Sequence, residues 1–344
     1  MKERPEGVGD EDVRHALAAW GIGSSVSLEY APVGFGDYHW TATVPTTAPA
    51  PAEGAPAGRK WFVTVADLGA KEYLGAGPDA AYRGLTRAMD TAAHLREHGG
   101  LDFVVAPVRA AEGGGTVRRL GVRHAVSVLP FVPGTPGHFG RPLTPAARHR
   151  VIDLLACLHQ AQPPPSLPVA PVALPQRAGL EQALDDALDD RAAPWLGGPF
   201  GEPARALLSA HAGALRDRLA GLDRLTGEPA GRRRVVTHGE PHPGNVLTLG
   251  DRCLLIDWDT VGLAPPERDL WHVAQDPADL DRYAEATGHR PDRSLLDGYR
   301  LRWALDDVAA FAVWFRAPHD GGADSEEAWA GLRDTVAWLV STRA

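Results

Sequence analysis

The stretch THGEPHPGN at 237–245 crowds His238, Glu240, His242 and Asn245 together, and Asp257 and Asp259 follow in LLIDWD. Several chemistries use such a set. His238, Glu240 and His242 at alternate positions could ligate a transition metal if the chain ran extended and showed them on one face. A carboxylate beside a histidine could serve hydrolysis. Or one carboxylate could take the proton of a hydroxyl, while an amide oxygen and a second carboxylate held magnesium on the phosphates of a nucleotide.

The spacing favours the last of these. Pro241, Pro243 and Gly244 break the extended run that the metal reading needs. Glu240 and Asn245 lie on one loop stiffened by those prolines, so one backbone sets both positions, and Asp257 ends the hairpin that follows. His242, between two prolines, reads as a packed or solvent-facing loop residue, and Asp259 as a structural hydrogen-bonding group.

The elements that must position this loop are legible around it. RVVT enters it as a strand, and the residues after it form a hairpin turned at Leu249-Gly250-Asp251. Near the start, 11–20 pattern as a short helix with Val13, Leu17 and Trp20 on one stripe, and SVSLEYAPVGFGDYHWTATV as two strands around a tight turn at 34–37. Residues 45–59 are rich in Pro, Ala and Gly and predict a mobile hairpin tip. KWFVTVADL predicts a strand, 79–98 a helix stopped by Gly99-Gly100, and DFVVAPV, VRRLGV and HAVSVLPFV further strands. Thr144 as N-cap and Pro145 after it open a helix with Val151, Leu154, Leu155 and Leu158 on one face. A proline-rich crossing at 163–175 follows, and helices are expected at 179–191, 203–222, 267–275, 278–286, 294–316 and 325–342. The fold class is therefore α+β, with a small β-rich lobe, 1–132, leading into a larger α-helical lobe, 133–344.

Composition narrows the partners. At 344 residues two lobes or domains are expected, and 44% hydrophobic content suffices for a sizeable core. A net charge of −9 argues against nucleic acid and suits a cationic small molecule. With only Cys157 and Cys253 there is no disulfide framework, and a reducing cytoplasm is expected. MKERPEGVGDEDV lacks a signal peptide's apolar run, and no window approaches the roughly 18 apolar residues of a membrane span, so no membrane partner is expected.

The loop and its sequel resemble the aminoglycoside phosphotransferase family, whose catalytic loop reads H-G-D-x-x-x-x-N before a hairpin ending in an apolar residue and Asp. Here stand His238-Gly239-Glu240, Asn245 and Ile256-Asp257, and APPERDL at 264–270 is similar to the A-P-x-E-R-D-L run of the spectinomycin phosphotransferase branch. The resemblance implies a bilobal protein-kinase-like fold. It also implies transfer of phosphate from ATP or GTP, with Mg²⁺, to a hydroxyl of a small molecule: an aminoglycoside, an aminocyclitol or a related antibiotic. It makes Glu240 the base and His238 a loop-shaping neighbour in the catalytic motif. Asn245 and Asp257 become the magnesium ligands, and Asp269 a structural acceptor of loop-backbone hydrogen bonds. Gly34-Phe35-Gly36 becomes a short phosphate-covering turn, and Leu129, Phe131 and Val132 belong to the hinge that meets the purine.

Three departures from the family pattern bear on the chemistry. The base is Glu rather than Asp, and the extra methylene moves its carboxylate by about an ångström or more. The strand expected to carry a phosphate-binding lysine has Thr64 at that register, and the helical glutamate that would pair with it falls on Ala88. Loss of both is self-consistent, because either alone would be an unpaired charge in a cleft. Lys71, or Arg83, is left to supply a cation from elsewhere.

The family likeness further implies carboxylates around the acceptor. Asp185, Asp186 and Asp189 of EQALDDALDD, with Glu267, Asp306 and Asp307, are the candidates, although such a run is more often a solvated helix face. Two rival functions keep the loop: a nucleotide-binding pseudokinase, suggested by Thr64 and Ala88, and a kinase of a metabolite such as choline, homoserine or methylthioribose. Glu240, Asn245 and Asp257 together argue for an active enzyme.

Overall fold

Alternating apolar residues build the first sheet. Strands β1 (Ser27–Ala31), β2 (Asp37–Pro45), β3 (Gly58–Asp67), β4 (Val117–Leu120) and β5 (His124–Pro130) pair antiparallel in the order β1-β2-β3-β5-β4. Trp40, Val63, Val65, Val126 and Val128 point to one face and pack with Val13 and Leu17 of helix α1 (Asp10–Leu17). Ala66, Val117 and Ala125 point to the other, against Leu85 and Met89 of helix α2 (Pro78–Glu97). Period-two alternation thus gives the sheet two buried faces. The structure is a computed structural model that describes residues 1–23, 25–45, 58–111, 113–189, 191–226 and 232–342. Apart from Pro45, Gly58 and Arg59, the hairpin tip expected at 45–59 lies outside the described residues.

The remaining elements are strand β6 (Thr135–Pro136), helices α3 (Pro145–Leu158), α4 (Arg177–Leu188) and α5 (Gly201–Thr226), strands β7 (Val235–Thr237), β8 (Val246–Leu249), β9 (Arg252–Leu255) and β10 (Gly262–Ala264), and helices α6 (Glu267–Val273), α7 (Pro277–Thr287), α8 (Arg293–Arg316) and α9 (Ala323–Ser341). The Thr144 hydroxyl accepts from the Ala147 N–H, so the predicted cap of α3 is in place. DFVVAPV is not a strand; it is a buried segment with a single bridge, Val104 to Leu255.

By packing the chain falls into two compact units. One compact unit comprises Met1–Ala170 with Arg234–Arg290, the other Pro171–Arg233 with Pro291–Ala344. The cause is backbone pairing. The returning strands bond to segments that precede α4: β6 to β8, Val105 N–H to Leu255 O at 3.0 Å, and Ala170 N–H to Leu263 O at 2.9 Å. The second unit is helical, with Leu184 of α4, Leu208 and Leu215 of α5, Leu305 and Phe315 of α8 and Leu332 of α9 sharing a core. No described helix is long and apolar enough to cross a membrane.

Candidate active site

The loop 237–245 is held from beneath by one buried carboxylate. Asp269, in the first turn of α6, accepts the backbone N–H of His238 at 2.8 Å and of Gly239 at 2.7 Å, and a third bond from His159 Nε2 at 3.0 Å. Burial, the largest single influence, would raise the Asp269 carboxyl, but the His159 hydrogen bond and the surrounding positive charges, Arg268 among them, together outweigh it and hold it below its usual value. The neighbouring Arg268 donates to Thr237 Oγ1 and to Thr260 O, both at 2.8 Å. Gly239 is required here: its φ is +106°, and a Cβ would lie 2.6 Å from Arg268 Nη2 and Thr260 Oγ1.

His238 has no nitrogen left for catalysis or metal. Its Nε2 donates to Ile256 O at 2.8 Å, and its Nδ1 accepts the Glu240 N–H at 3.3 Å. Burial pushes the imidazole below its usual value, so it stays neutral and shapes the loop. Its place in the loop is a positioning one. Because its Nδ1 binds Glu240's own amide, it sets the base of the half-buried Glu240 side chain.

Asn245 is fixed as tightly. Its Nδ2 donates to Glu240 O at 3.0 Å and lies 3.3 Å from His242 Nε2, which turns Oδ1 the other way. Its carbonyl accepts the Ile256 N–H at 3.1 Å, so the loop and the end of the β8–β9 hairpin are joined one residue before Asp257. His242 is thereby an orienting neighbour of Asn245, packed edge-on against Phe139. Both nitrogens of His238 are engaged, and among the described residues no group of three His, Cys, Asp or Glu could hold a metal ion, so the His-Glu-His metal reading finds no support.

Asp257 alone among the described non-glycine residues has a positive φ, 64°. A left-handed aspartate is strained and persists only where its surroundings fix it. Its carboxylate reaches solvent yet stands deep among protein atoms. That desolvation and the charges of Asp259, Asp37 and Glu240 push it well above the usual range, against the opposing pull of Lys71.

Such a crowd of carboxylates fits a hard divalent cation. Among the described residues no three His, Cys, Asp or Glu side chains form a closed metal cage. Mg²⁺ on nucleotide phosphates is an ion that takes few protein ligands.

The cation nearest this crowd is Lys71. Its Nζ lies 2.6 Å from Asp259 Oδ2, 3.2 Å from Asp37 Oδ1 and 3.2 Å from the Tyr73 hydroxyl. Burial would lower the ammonium, but Asp259, Asp37, Tyr73 and Asp257 together hold it well above its usual value. Arg83 is exposed on α2. Thr64 on β3 instead bonds His39 Nδ1 at 3.2 Å, and Ala88 is packed in the α2 core.

The turn at Gly34, Phe35 and Gly36 uses positive φ at both glycines, 73° and 100°, and leads directly into Asp37. At the expected hinge, Leu129 pairs with Phe62 across β5 and β3, and the Phe131 N–H donates to Lys60 O at 3.4 Å. Phe131 and Val132 border a cavity of about 290 Å³ with Val104, Ala106 and Leu254. Neither Lys71 nor Asp257 lines it, so it is separate from the charged cluster.

A family model described as the phosphotransferase enzyme family matches residues 54–311, well over half the chain. The chain belongs to that family. It is 33% identical over 251 residues to Protein StrN of Streptomyces griseus, covering 69% of this chain and 73% of that protein. The crystal structure of spectinomycin phosphotransferase APH(9)-Ia with ADP and spectinomycin superposes with a TM-score of 0.70 at 16% identity, covering 98% of this chain and 99% of that one. An ethanolamine kinase of Plasmodium vivax gives 0.56 at 10% identity over 95% of this chain and 89% of its own. The α+β protein-kinase-like fold is thereby shown.

The carboxylates expected around an acceptor have the following surroundings. Asp185 and Asp186 of α4 are ion-paired, the first with Arg216 and the second with Arg316 at 2.5 Å. Asp189 is exposed past the end of α4 and accepts the Arg191 N–H at 2.9 Å, and Asp306 lies 3.5 Å from Arg302. Asp307 is half-buried on α8. Glu267 is 2% exposed in the first turn of α6, 3.5 Å from His289 Nε2, and offers a ligand almost no surface. Of these candidates, Asp185, Asp186 and Asp306 each have an arginine partner. Sequence reasoning also missed Asp37, Tyr73 and His159, whose partners are far away in sequence.

Proposed function

We propose that this phosphotransferase carries phosphate from ATP or GTP to a hydroxyl of a small molecule, with an aminocyclitol or aminoglycoside antibiotic as the acceptor class. The observation that carries the reading is the Asp269-anchored loop, which presents Glu240 and Asn245 together beside Asp257. Glu240 accepts the proton of the attacking hydroxyl as its oxygen bonds to the γ-phosphorus and the bond to the departing nucleoside diphosphate breaks. Asn245 Oδ1 and the Asp257 carboxylate would hold Mg²⁺. When bound, that ion neutralises phosphate charge. The turn at 34–36 covers the phosphates, and the 129–132 backbone meets the purine.

The acceptor class is supported by the fold shared with an enzyme crystallised with ADP and spectinomycin. The test is a panel of aminocyclitols, aminoglycosides and small amino alcohols, each incubated with ATP or GTP and Mg²⁺ and followed by mass spectrometry. Gain of one phosphate on an aminocyclitol or aminoglycoside is expected. Gain on amino alcohols alone would move the enzyme to the metabolite kinases, and no gain on any acceptor would contradict the reading.

A further inference from the structure

The strand position where family resemblance expects a phosphate-binding lysine holds Thr64, and the helix position expected to hold that lysine's carboxylate partner holds Ala88. The structure nevertheless places an ammonium in the charged cluster. Lys71 stands on the connection after β3, between the 3-10 turns Leu68–Ala70 and Glu72–Leu74. Only three lysines occur in the whole chain, Lys2, Lys60 and Lys71, and Lys71 is 6% exposed. An ammonium is strongly hydrated and is withdrawn from water only where partners hold it.

Its partners show what it faces. Asp37 is the first residue after the turn at 34–36, and Asp259 lies two residues beyond Asp257. Lys71 Nζ, at 3.2 Å from one and 2.6 Å from the other, therefore joins the glycine turn to the metal hairpin. Those are the two elements between which a nucleotide's phosphates lie in the reading above. Tyr73, two residues on, donates its hydroxyl to the same Asp259 oxygen and lies 3.2 Å from Nζ, so a short segment of chain is pinned at two points. Two carboxylates around one ammonium leave the cluster negative, so the lysine is held rather than neutralised. A compact point charge on a flexible stem can turn toward a phosphate oxygen while keeping one carboxylate.

We propose that Lys71 is the phosphate-binding lysine of this enzyme, supplied from the turn after β3 in place of Thr64. Asp259 and Asp37 hold it, as the α2 position occupied by Ala88 does not. The proposal rests on the nucleotide reading of the site, and it assigns Asp37, Asp259 and Tyr73 as positioning residues for that lysine.

The test compares ATP with adenosine, which has no phosphate, by titration calorimetry on the wild-type protein and on Lys71→Met. ATP affinity is expected to fall tenfold or more in the variant, with adenosine affinity unchanged within twofold. Equal changes for both ligands, or no change for ATP, would overturn the assignment of Lys71 while leaving the nucleotide site standing. Wild-type protein that binds neither ligand would overturn the nucleotide reading and the proposal with it. A second measurement does not depend on the variant folding. Wild-type protein is treated with an acyl phosphate of ATP, which passes its acyl group to a lysine amine held at the phosphates, and the modified peptide is identified by mass spectrometry. ATP-protected labelling of Lys71 is expected; labelling only at Lys2 or Lys60, or none that ATP suppresses, would contradict the proposal.

Discussion

The loop at 237–245 and the acidic face of α4 both concentrate carboxylates and polar groups, but they are built in opposite ways. In the loop the chemistry-bearing residues are tied together by buried hydrogen bonds: Asp269 takes two backbone amides, His238 spans Glu240 and Ile256, and Asn245 spans Glu240 and His242. On α4, Asp185 and Asp186 reach arginines across solvent-exposed surface. A buried network fixes geometry, because breaking any member strands the others. A surface pair is exchanged at little cost, because water and salt replace it. Reaction chemistry needs the first kind of construction, and acceptor choice tolerates the second.

The comparison is broken most severely by removing the base. Glu240→Gln should reduce turnover by about 100- to 10,000-fold, since it removes the proton acceptor and keeps the loop. Nucleotide affinity, measured in parallel by titration, should be unchanged within about twofold, because the base does not hold the donor. Loss of both together would mean that Glu240 acts on binding.

Next in size is the anchor. Asp269→Ala should cost about 3–5 kcal/mol of stability in urea unfolding, because it leaves the amides of His238 and Gly239 and the His159 imidazole without their buried acceptor. Asp269 titrates below its usual value of 3.8 in the fold, so it is the ionised form that the native state binds. Its contribution is complete above pH 3.8 and is lost as pH falls through the lower folded value. Asp269→Asn should therefore flatten the acid limb of the stability profile, and an unchanged limb would assign that limb to other carboxylates.

The smallest effect belongs to α4. Asp186→Ala removes a partly exposed pair with Arg316 and should change stability by about 1 kcal/mol or less. A several-kilocalorie loss in the same unfolding experiment would show that the acidic face is as rigid as the loop.

The sequence made legible what local spacing encodes. Alternation located β2, β3 and β5, Thr144-Pro145 located the start of α3, and the nine-residue stretch gave Glu240, Asn245 and the Asp257 that follows. What stayed hidden depends on distance along the chain. Lys71 and Asp259 are 188 positions apart, and no pattern around either announces the other. DFVVAPV misled because a continuous apolar run is equally a buried strand or a buried connection, and periodicity does not separate them. The arginine partners of Asp185, Asp186 and Asp306, namely Arg216, Arg316 and Arg302, were likewise not announced by composition.

The central claim is that Asn245 and Asp257 gather around one divalent ion beside Glu240. Electron paramagnetic resonance of Mn²⁺, titrated into protein with a non-hydrolysable ATP analogue, tests it most directly. Wild-type protein should bind the Mn-nucleotide, and Asp257→Ala should weaken that binding by about 10- to 100-fold. Equal Mn-nucleotide affinity in the two proteins would contradict the account.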